Sequence, residues 1–220
     1  LRPETDDRLE QNLAYSLPAP QDSEDAAHGR HPASRVEPNV ESGQTRKLVL
    51  SVAAISFAVE LLASAIWLRV AGGGSLGEIL LNPVGLGPSV AAGVLLGLAI
   101  AAVSRAFFSA FAPDLVREVF VPVFGSLHHR DLPVVSLLPG LGEELLFRGV
   151  MQPEIGLAAT SIIFGLLHSG FNRQLLRYGL WAALIGALLG SLYLWTGNLW
   201  GSIVAHAVTN GVAVVWLKRL

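Results

Sequence analysis

Six long apolar stretches dominate this chain of 220 residues, at 48–70, 88–111, 133–151, 155–172, 177–196 and 199–217. Most are close to the roughly 20 residues that an α-helix needs to cross the hydrocarbon core of a bilayer. Hydrophobic residues make up 52% of the chain and charged residues only 15%, against about 25% charged in ordinary soluble proteins. The sequence therefore predicts an all-α fold, a polytopic transmembrane helix bundle of about six spans.

The first 45 residues differ in composition from the rest of the chain. They carry nine acidic and four basic residues, net −5, whereas residues 46–220 carry eight acidic and eleven basic residues, net +3, which together give the overall −2. The stretch 1–45 has no periodic apolar face with which to offset the entropy cost of ordering. We expect a disordered polar tail at 1–45 and a transmembrane domain at 46–220.

The positions of lysine and arginine predict the topology, because short cytoplasmic loops are enriched in both. With six spans, most of these residues fall at one end of the bundle: Arg46, Lys47, Arg105, Arg117, Arg130, Arg173, Arg177, Lys218 and Arg219. Both termini are then cytoplasmic. The proline-interrupted segment 112–131 is predicted to lie along the cytoplasmic surface. We expect a multi-pass protein of a bacterial cell membrane.

Three polar motifs interrupt the apolar stretches of the last third of the chain: Glu143-Glu144-x-x-x-Arg148, Phe164-x-x-x-His168 and His206-x-x-x-Asn210. An ionisable group at bilayer depth costs about 2.5 to 3.5 kcal/mol on insertion scales. Several such groups in one domain indicate a function, and we interpret the three motifs as a single buried site.

Helical spacing separates the two glutamates of the first motif. Glu144 and Arg148 are four residues apart and share one face, so they can pair, whereas Glu143 projects about 100° away. A pair of this kind can also simply hold helices together, and a single histidine in a span is often only an interhelical hydrogen-bond partner. Glu60, in the first span, has no motif around it, which favours a structural or cavity-lining role.

Several catalytic classes lack their residues. The chain has no cysteine, which excludes thiol nucleophiles and thiolate metal sites. Every aspartate lies outside the apolar stretches, and the His-Glu-x-x-His signature of zinc proteases is missing. Glutamate, histidine and asparagine remain as candidates for chemistry.

The three motifs, in this order on successive apolar helices, resemble the CAAX protease and bacteriocin-processing family (CPBP, or Abi), whose eukaryotic members are type II CAAX prenyl endopeptidases. The resemblance covers residues 132–217. Phe164-Gly-Leu-Leu-His168 and Gly197-Asn-Leu-Trp-Gly-Ser-Ile-Val-Ala-His206 are similar to the usual surroundings of the second and third motifs in this family.

The resemblance implies a glutamate-dependent intramembrane endopeptidase. Its substrate would be a peptide bond in a membrane-embedded or lipidated, for example prenylated, peptide. Glu143 would be the general base and His168 its partner in polarising the attacking water. His206 and Asn210 would donate hydrogen bonds to the oxyanion. No nucleic-acid partner is expected.

Supporting roles and a cofactor alternative follow from the same resemblance. Glu144, Arg148 and Phe164 would shape the site. No cofactor is expected, although Glu143, His168 and His206 form an alternative set of zinc ligands. Two functional alternatives stay open, namely a non-catalytic immunity or assembly factor of the same fold and a proton-coupled transporter, which the lack of internal repeats disfavours.

Overall fold

The computed structural model describes residues 40–71 and 73–220, with side chains from Ser42 onward. Most of the predicted tail at 1–45 lies outside the described residues. The first helix begins at Val40, before the predicted domain boundary at 46, because helical hydrogen bonding continues beyond the apolar stretch into the polar flank. Within the part of the chain that is described, the fold is all-α.

The described helices are α1 (Val40–Ala71), α2 (Leu76–Leu80), α3 (Leu86–Phe111), α4 (Pro113–Leu115), α5 (Val121–Phe124), α6 (Leu132–Glu144), α7 (Gln152–Ser169), α8 (Leu176–Thr196) and α9 (Leu199–Leu217). Two π-helical stretches, Val116–Phe120 and Leu145–Met151, continue α4 into α5 and α6 into α7. Short 3₁₀ turns at His129–Asp131 and Arg173–Leu175 precede α6 and α8.

Five helical stretches in the described residues are long and apolar enough to cross a membrane: Ser42–Ala71, Leu86–Phe111, His129–Ser169, Arg173–Thr196 and Leu199–Leu217. The protein is thus a multi-pass membrane protein. The sequence predicted six spans, and the difference arises at the third stretch, whose 41 residues contain the two predicted spans 133–151 and 155–172.

The third stretch reverses its direction at Gly156. This residue has φ 81° and ψ 166°, a conformation that is essentially restricted to glycine. Glu143 and His168 are 25 residues apart and would be about 38 Å apart on a straight helix, yet their side chains lie 3.6 Å apart. The stretch is therefore a helical hairpin, and both predicted spans exist as its two arms.

Contacts between helices show that successive long helices alternate in direction. Gly93 and Gly97 of α3 face Gly201 and Ala205 of α9, so α3 and α9 run in the same direction. By the same kind of pairing, α6 runs opposite to α9 and parallel to α1, and α7 runs opposite to α8. With the hairpin counted as two arms, the described chain makes six alternating passes.

Glycine permits the close approach of the helices that carry the site. A Cβ atom on Gly97 would lie 2.6 Å from the carbonyl oxygen of Ala205 and 2.9 Å from the Cβ of Val208. The Gly-x-x-x-Gly pattern at 93 and 97 thus lets α3 pack backbone to backbone against α9, one turn from the motif residues of α9.

Short helices close one end of the bundle. The segment between α3 and α6 contributes no candidate membrane crossing among the described residues. It is nevertheless well packed, since Leu115, Val116 and Leu127 are buried. Arg46 of α1 forms two 2.6 Å hydrogen bonds with Asp131 at this end.

Candidate active site

The site begins with the fully buried ion pair of Glu144 and Arg148. Both lie on one turn of the motif helix, which is α6 together with the π-helical stretch that continues it. Arg148 Nη1 donates a 3.0 Å hydrogen bond to Glu144 Oε1, and neither side chain has any exposed surface. Arg148 Nη2 donates to the carbonyl oxygen of Gly186 on α8 at 3.0 Å. The pair that helical spacing predicts is thus formed, and it also joins the hairpin to α8.

His206 is joined to this pair from α9. Its Nδ1 lies 2.8 Å from Glu144 Oε1. An ionised carboxylate can only accept a hydrogen bond, so the Nδ1 atom carries the proton and donates the hydrogen bond to Glu144. Glu144 therefore fixes the orientation of the imidazole and turns its Nε2 atom toward Glu143.

Phe164 packs between Arg148 and His168. The Arg148 guanidinium lies 4.5 Å from the centre of the Phe164 ring, a cation–π contact. On the other side the Phe164 and His168 rings have centres 4.2 Å apart. His168 Nδ1 lies 2.8 Å from the Phe164 carbonyl oxygen. Because a carbonyl oxygen only accepts, Nδ1 carries the ring proton and donates the hydrogen bond.

Glu143 stands between the two histidines. Its Oε2 atom is 3.6 Å from His168 Nε2 and 4.0 Å from His206 Nε2. It is buried, yet it has no hydrogen-bond partner among the described residues. A buried carboxylate oxygen without a partner is costly, which is unusual for a group with only a structural role.

These residues open onto a cavity of about 1000 Å³. Glu143, His168 and His206 line its inner part, and Arg105 and Arg219 line it at the end of the bundle where the basic residues gather. Most of the remaining wall is apolar and comes from all the long helices. Asn210 lines the same cavity one turn from His206, and its side chain makes no hydrogen bond within the described chain.

Comparison with known proteins gives a family match for part of this chain. Residues 125–212 match the Rce1-like family, the type II CAAX prenyl endopeptidases. These residues form a domain of that family. All three motifs lie within the matched range, and so do the hairpin, α8 and most of α9.

One curated relative is similar to part of this chain. Over 86 residues the chain is 41% identical to the uncharacterized protein YpbD of Bacillus subtilis (strain 168). The match covers 38% of this chain and 45% of the relative, so the chain spans less than half of the length of that curated protein. No solved structure gave a significant match.

Two residues near the candidate site have no motif that could have revealed them. Tyr178 of α8 lines the cavity, and its ring centre is 5.7 Å from that of His168. Glu60 of α1 packs against Gly142, the residue before Glu143, because a Cβ atom there would overlap the Glu60 carboxylate. Both contacts depend on how distant helices pack, which residue spacing does not encode.

The three alternative zinc ligands lie close together in the site. Glu143, His168 and His206 converge, and each histidine holds its Nδ1 on an acceptor, as metal-binding histidines do. However, no group of three or more His, Cys, Asp or Glu side chains in the described part of the chain is arranged to hold a metal ion. The mechanism proposed below uses no metal.

Proposed function

We propose that this protein is a glutamate-dependent intramembrane endopeptidase that uses Glu143 to activate water. The observation that carries this proposal is the unpartnered Oε2 atom of Glu143, which faces the Nε2 atoms of two histidines at 3.6 and 4.0 Å. Glu143 and both histidines line a large, mostly apolar cavity. Membership of the Rce1-like family supports the reaction class.

The hydrogen bonds of His168 define its part in the reaction. Because Nδ1 donates to the Phe164 carbonyl oxygen, the Nε2 atom of the neutral ring is an acceptor. A water between Glu143 and His168 can then donate one hydrogen bond to the carboxylate and one to the imidazole. Its lone pair is left free to attack a peptide carbonyl carbon.

To His206 and Asn210 we assign the stabilisation of the oxyanion that forms on attack. Nδ1 of His206 already donates to Glu144, so donation from Nε2 requires a second proton on the ring. The carboxylates of Glu144 and Glu143 lie beside this ring and offset its positive charge. Hydrogen-bond donors of this kind typically contribute about 2.7 to 4 kcal/mol each to transition-state stabilisation.

The proton transfers balance without a nucleophilic side chain. Glu143 accepts a proton as the water oxygen bonds to the carbonyl carbon, and a tetrahedral oxyanion results. When this intermediate collapses, the C–N bond breaks and the leaving nitrogen takes the proton from Glu143. Glu143 returns to its ionised form, and the products are a carboxylic acid and an amine. The acid then gives its proton to the amine, which leaves a carboxylate and an ammonium group.

The cavity favours a lipid-associated peptide as the substrate. Its apolar walls suit a lipid chain or an apolar peptide segment, and it extends from Glu143 to the basic end of the bundle. We place that end, with both termini, in the cytoplasm, because lysine and arginine concentrate there. Cleavage would then occur near the cytoplasmic face.

The test is a peptidase assay on the purified protein with fluorogenic prenylated and transmembrane peptides. Glu143→Gln should lower kcat about 100- to 10,000-fold, the usual contribution of general acid–base catalysis. Glu154→Gln makes the same change at an exposed position and should leave kcat unaltered. Equal activity of wild type and Glu143→Gln, or inactivity of both on every substrate, would favour the immunity or assembly factor.

A further inference from the structure

Glu60 is the one acidic residue of the apolar stretch of α1, and the proposed mechanism does not use it. A charged side chain at bilayer depth costs about 2.5 to 3.5 kcal/mol, and α1 has no cation beside it on that turn. The backbone carbonyl oxygen of Glu60 accepts a 2.7 Å hydrogen bond from Ser64 Oγ, which leaves the charge of the side chain uncompensated.

The carboxylate of Glu60 lies against α6 at Gly142, the residue before Glu143. A Cβ atom on Gly142 would overlap Glu60 Oε2 and would lie 3.4 Å from Glu60 Cβ. Gly142 thus leaves the space that the carboxylate occupies. The Glu60 carboxylate therefore contacts the residue that directly precedes Glu143 in the chain.

Two oxygens in this small region are unsatisfied. Glu60 Oε2 and Glu143 Oε2 are both buried and lack a hydrogen-bond partner within the described residues. Two neighbouring carboxylates resist being ionised together, and they share one proton at neutral pH when they are close and poorly solvated.

The charges around Glu60 indicate which form each carboxyl takes. Glu143 and Glu144 face this region from the motif helix, His168 from α7 and His206 from α9, and Arg148 neutralises Glu144. Two ionised glutamates balance Arg148 and a charged His206. A third carboxylate would leave one negative charge uncompensated in the membrane.

We propose that Glu60 is a positioning residue that carries the proton of a Glu60–Glu143 carboxyl pair, so that Glu143 stays ionised. The neutral Glu60 carboxyl donates a hydrogen bond toward Glu143, directly or through one water. Glu60 acts through Glu143 and does not contact the substrate, since it does not line the cavity. The effect of Glu60 on catalysis rests on the proposed function, whereas the protonation of Glu60 does not.

Infrared spectroscopy of the purified protein tests the protonation directly. Wild type should show the C=O stretch of a protonated carboxyl group at neutral pH. Glu60→Gln should remove this band, and Glu154→Gln should leave it intact. Absence of the band from wild type overturns the proposal without any variant, and so does its persistence in Glu60→Gln and in Glu60→Ala.

Kinetics test the positioning role. Glutamine is neutral and can donate a hydrogen bond, so Glu60→Gln should keep kcat within about threefold of wild type. Glu60→Ala lacks the donor and should lower kcat about tenfold with KM unchanged. A loss in Glu60→Gln as large as in Glu143→Gln would show that an ionised Glu60 is needed, and would overturn the proposal.

The two proposals fail in different ways. If no variant and no wild-type sample cleaves peptide, but the infrared band is present and disappears in Glu60→Gln, the endopeptidase function is wrong and the shared proton stands. If cleavage requires Glu143 and the band is absent, the endopeptidase function stands and the role of Glu60 is wrong.

Discussion

Glu143 and Glu144 are neighbours in the chain but occupy different environments. Glu144 is fully buried and is held by Arg148 and His206. Glu143 Oε2 has no hydrogen-bond partner among the described residues and faces the cavity. The difference follows from helix geometry, which turns consecutive side chains about 100° apart. One glutamate can therefore hold the site together while the other remains free to react.

The buried pair leads to a stability prediction. Arg148→Ala leaves the Glu144 carboxylate buried without its cation, which typically costs about 3 to 5 kcal/mol. Arg177→Ala removes a pair with Asp114 whose side chains are 51% and 54% exposed, and exposed pairs contribute about 0 to 1 kcal/mol. Thermal unfolding in detergent should show a large fall in Tm for Arg148→Ala and a small one for Arg177→Ala. Equal changes would contradict the assigned burial.

Whether peptide turnover needs a metal ion depends on the roles of three residues of the site. In the proposed mechanism Glu143, His168 and His206 act on water without a metal ion. A strong zinc chelator should therefore leave peptide turnover unchanged, while it inactivates a zinc protease assayed alongside as the control. Loss of turnover that added zinc restores would show that these three residues are ligands and would overturn the proposed mechanism.

At the scale of elements, the hairpin formed by α6 and α7 assembles the site. Its two arms bring Glu143 within 3.6 Å of His168, and the reversal depends on the conformation of Gly156. The hydrophobic pattern predicted both arms because each is an apolar stretch. It could not show that helix continues on both sides of a single glycine, since the pattern contains no backbone dihedral angle.

The same distinction separates what the sequence revealed of the site from what it did not. Residues four apart on one helix could be paired from spacing alone, as for Glu144 and Arg148. The contacts of Glu60 with Gly142 and of Tyr178 with His168 join different helices. Such contacts depend on the order and tilt of packed helices, about which local spacing carries no information.

The contact between α3 and α9 gives a prediction at this scale. Gly97→Ala places a Cβ atom 2.6 Å from the carbonyl oxygen of Ala205, so α9 must move and carry His206 and Asn210 with it. Overpacking of this kind costs about 1 to 3 kcal/mol, and both Tm and kcat should fall. Gly87→Ala, on the same helix with nothing within 4 Å, should change neither.

At the scale of the whole molecule, the two ends of the bundle differ in charge. The end that contains the α1 N-terminus, the α3–α6 connection and the α9 C-terminus carries most of the lysines and arginines. Hydrogen bonds hold its segments together: Arg46 donates to Asp131, Lys218 to the Leu127 carbonyl oxygen and Arg177 to the Phe111 carbonyl oxygen. Because the hairpin has two arms, the described part of the chain runs along the bundle an even number of times, and α1 begins at the end where α9 finishes.

This arrangement predicts the topology, and the absence of cysteine from the chain allows a direct measurement. His129→Cys and Gln174→Cys lie in exposed positions at the basic end, and Gly77→Cys lies in an exposed position at the opposite end. A membrane-impermeant maleimide added to intact bacterial cells that express each variant should label only Gly77→Cys. Permeabilised cells should label all three, which controls for reactivity. Labelling of His129→Cys and Gln174→Cys in intact cells would invert the topology, and labelling of only one of these two would show that the hairpin does not return to the same side.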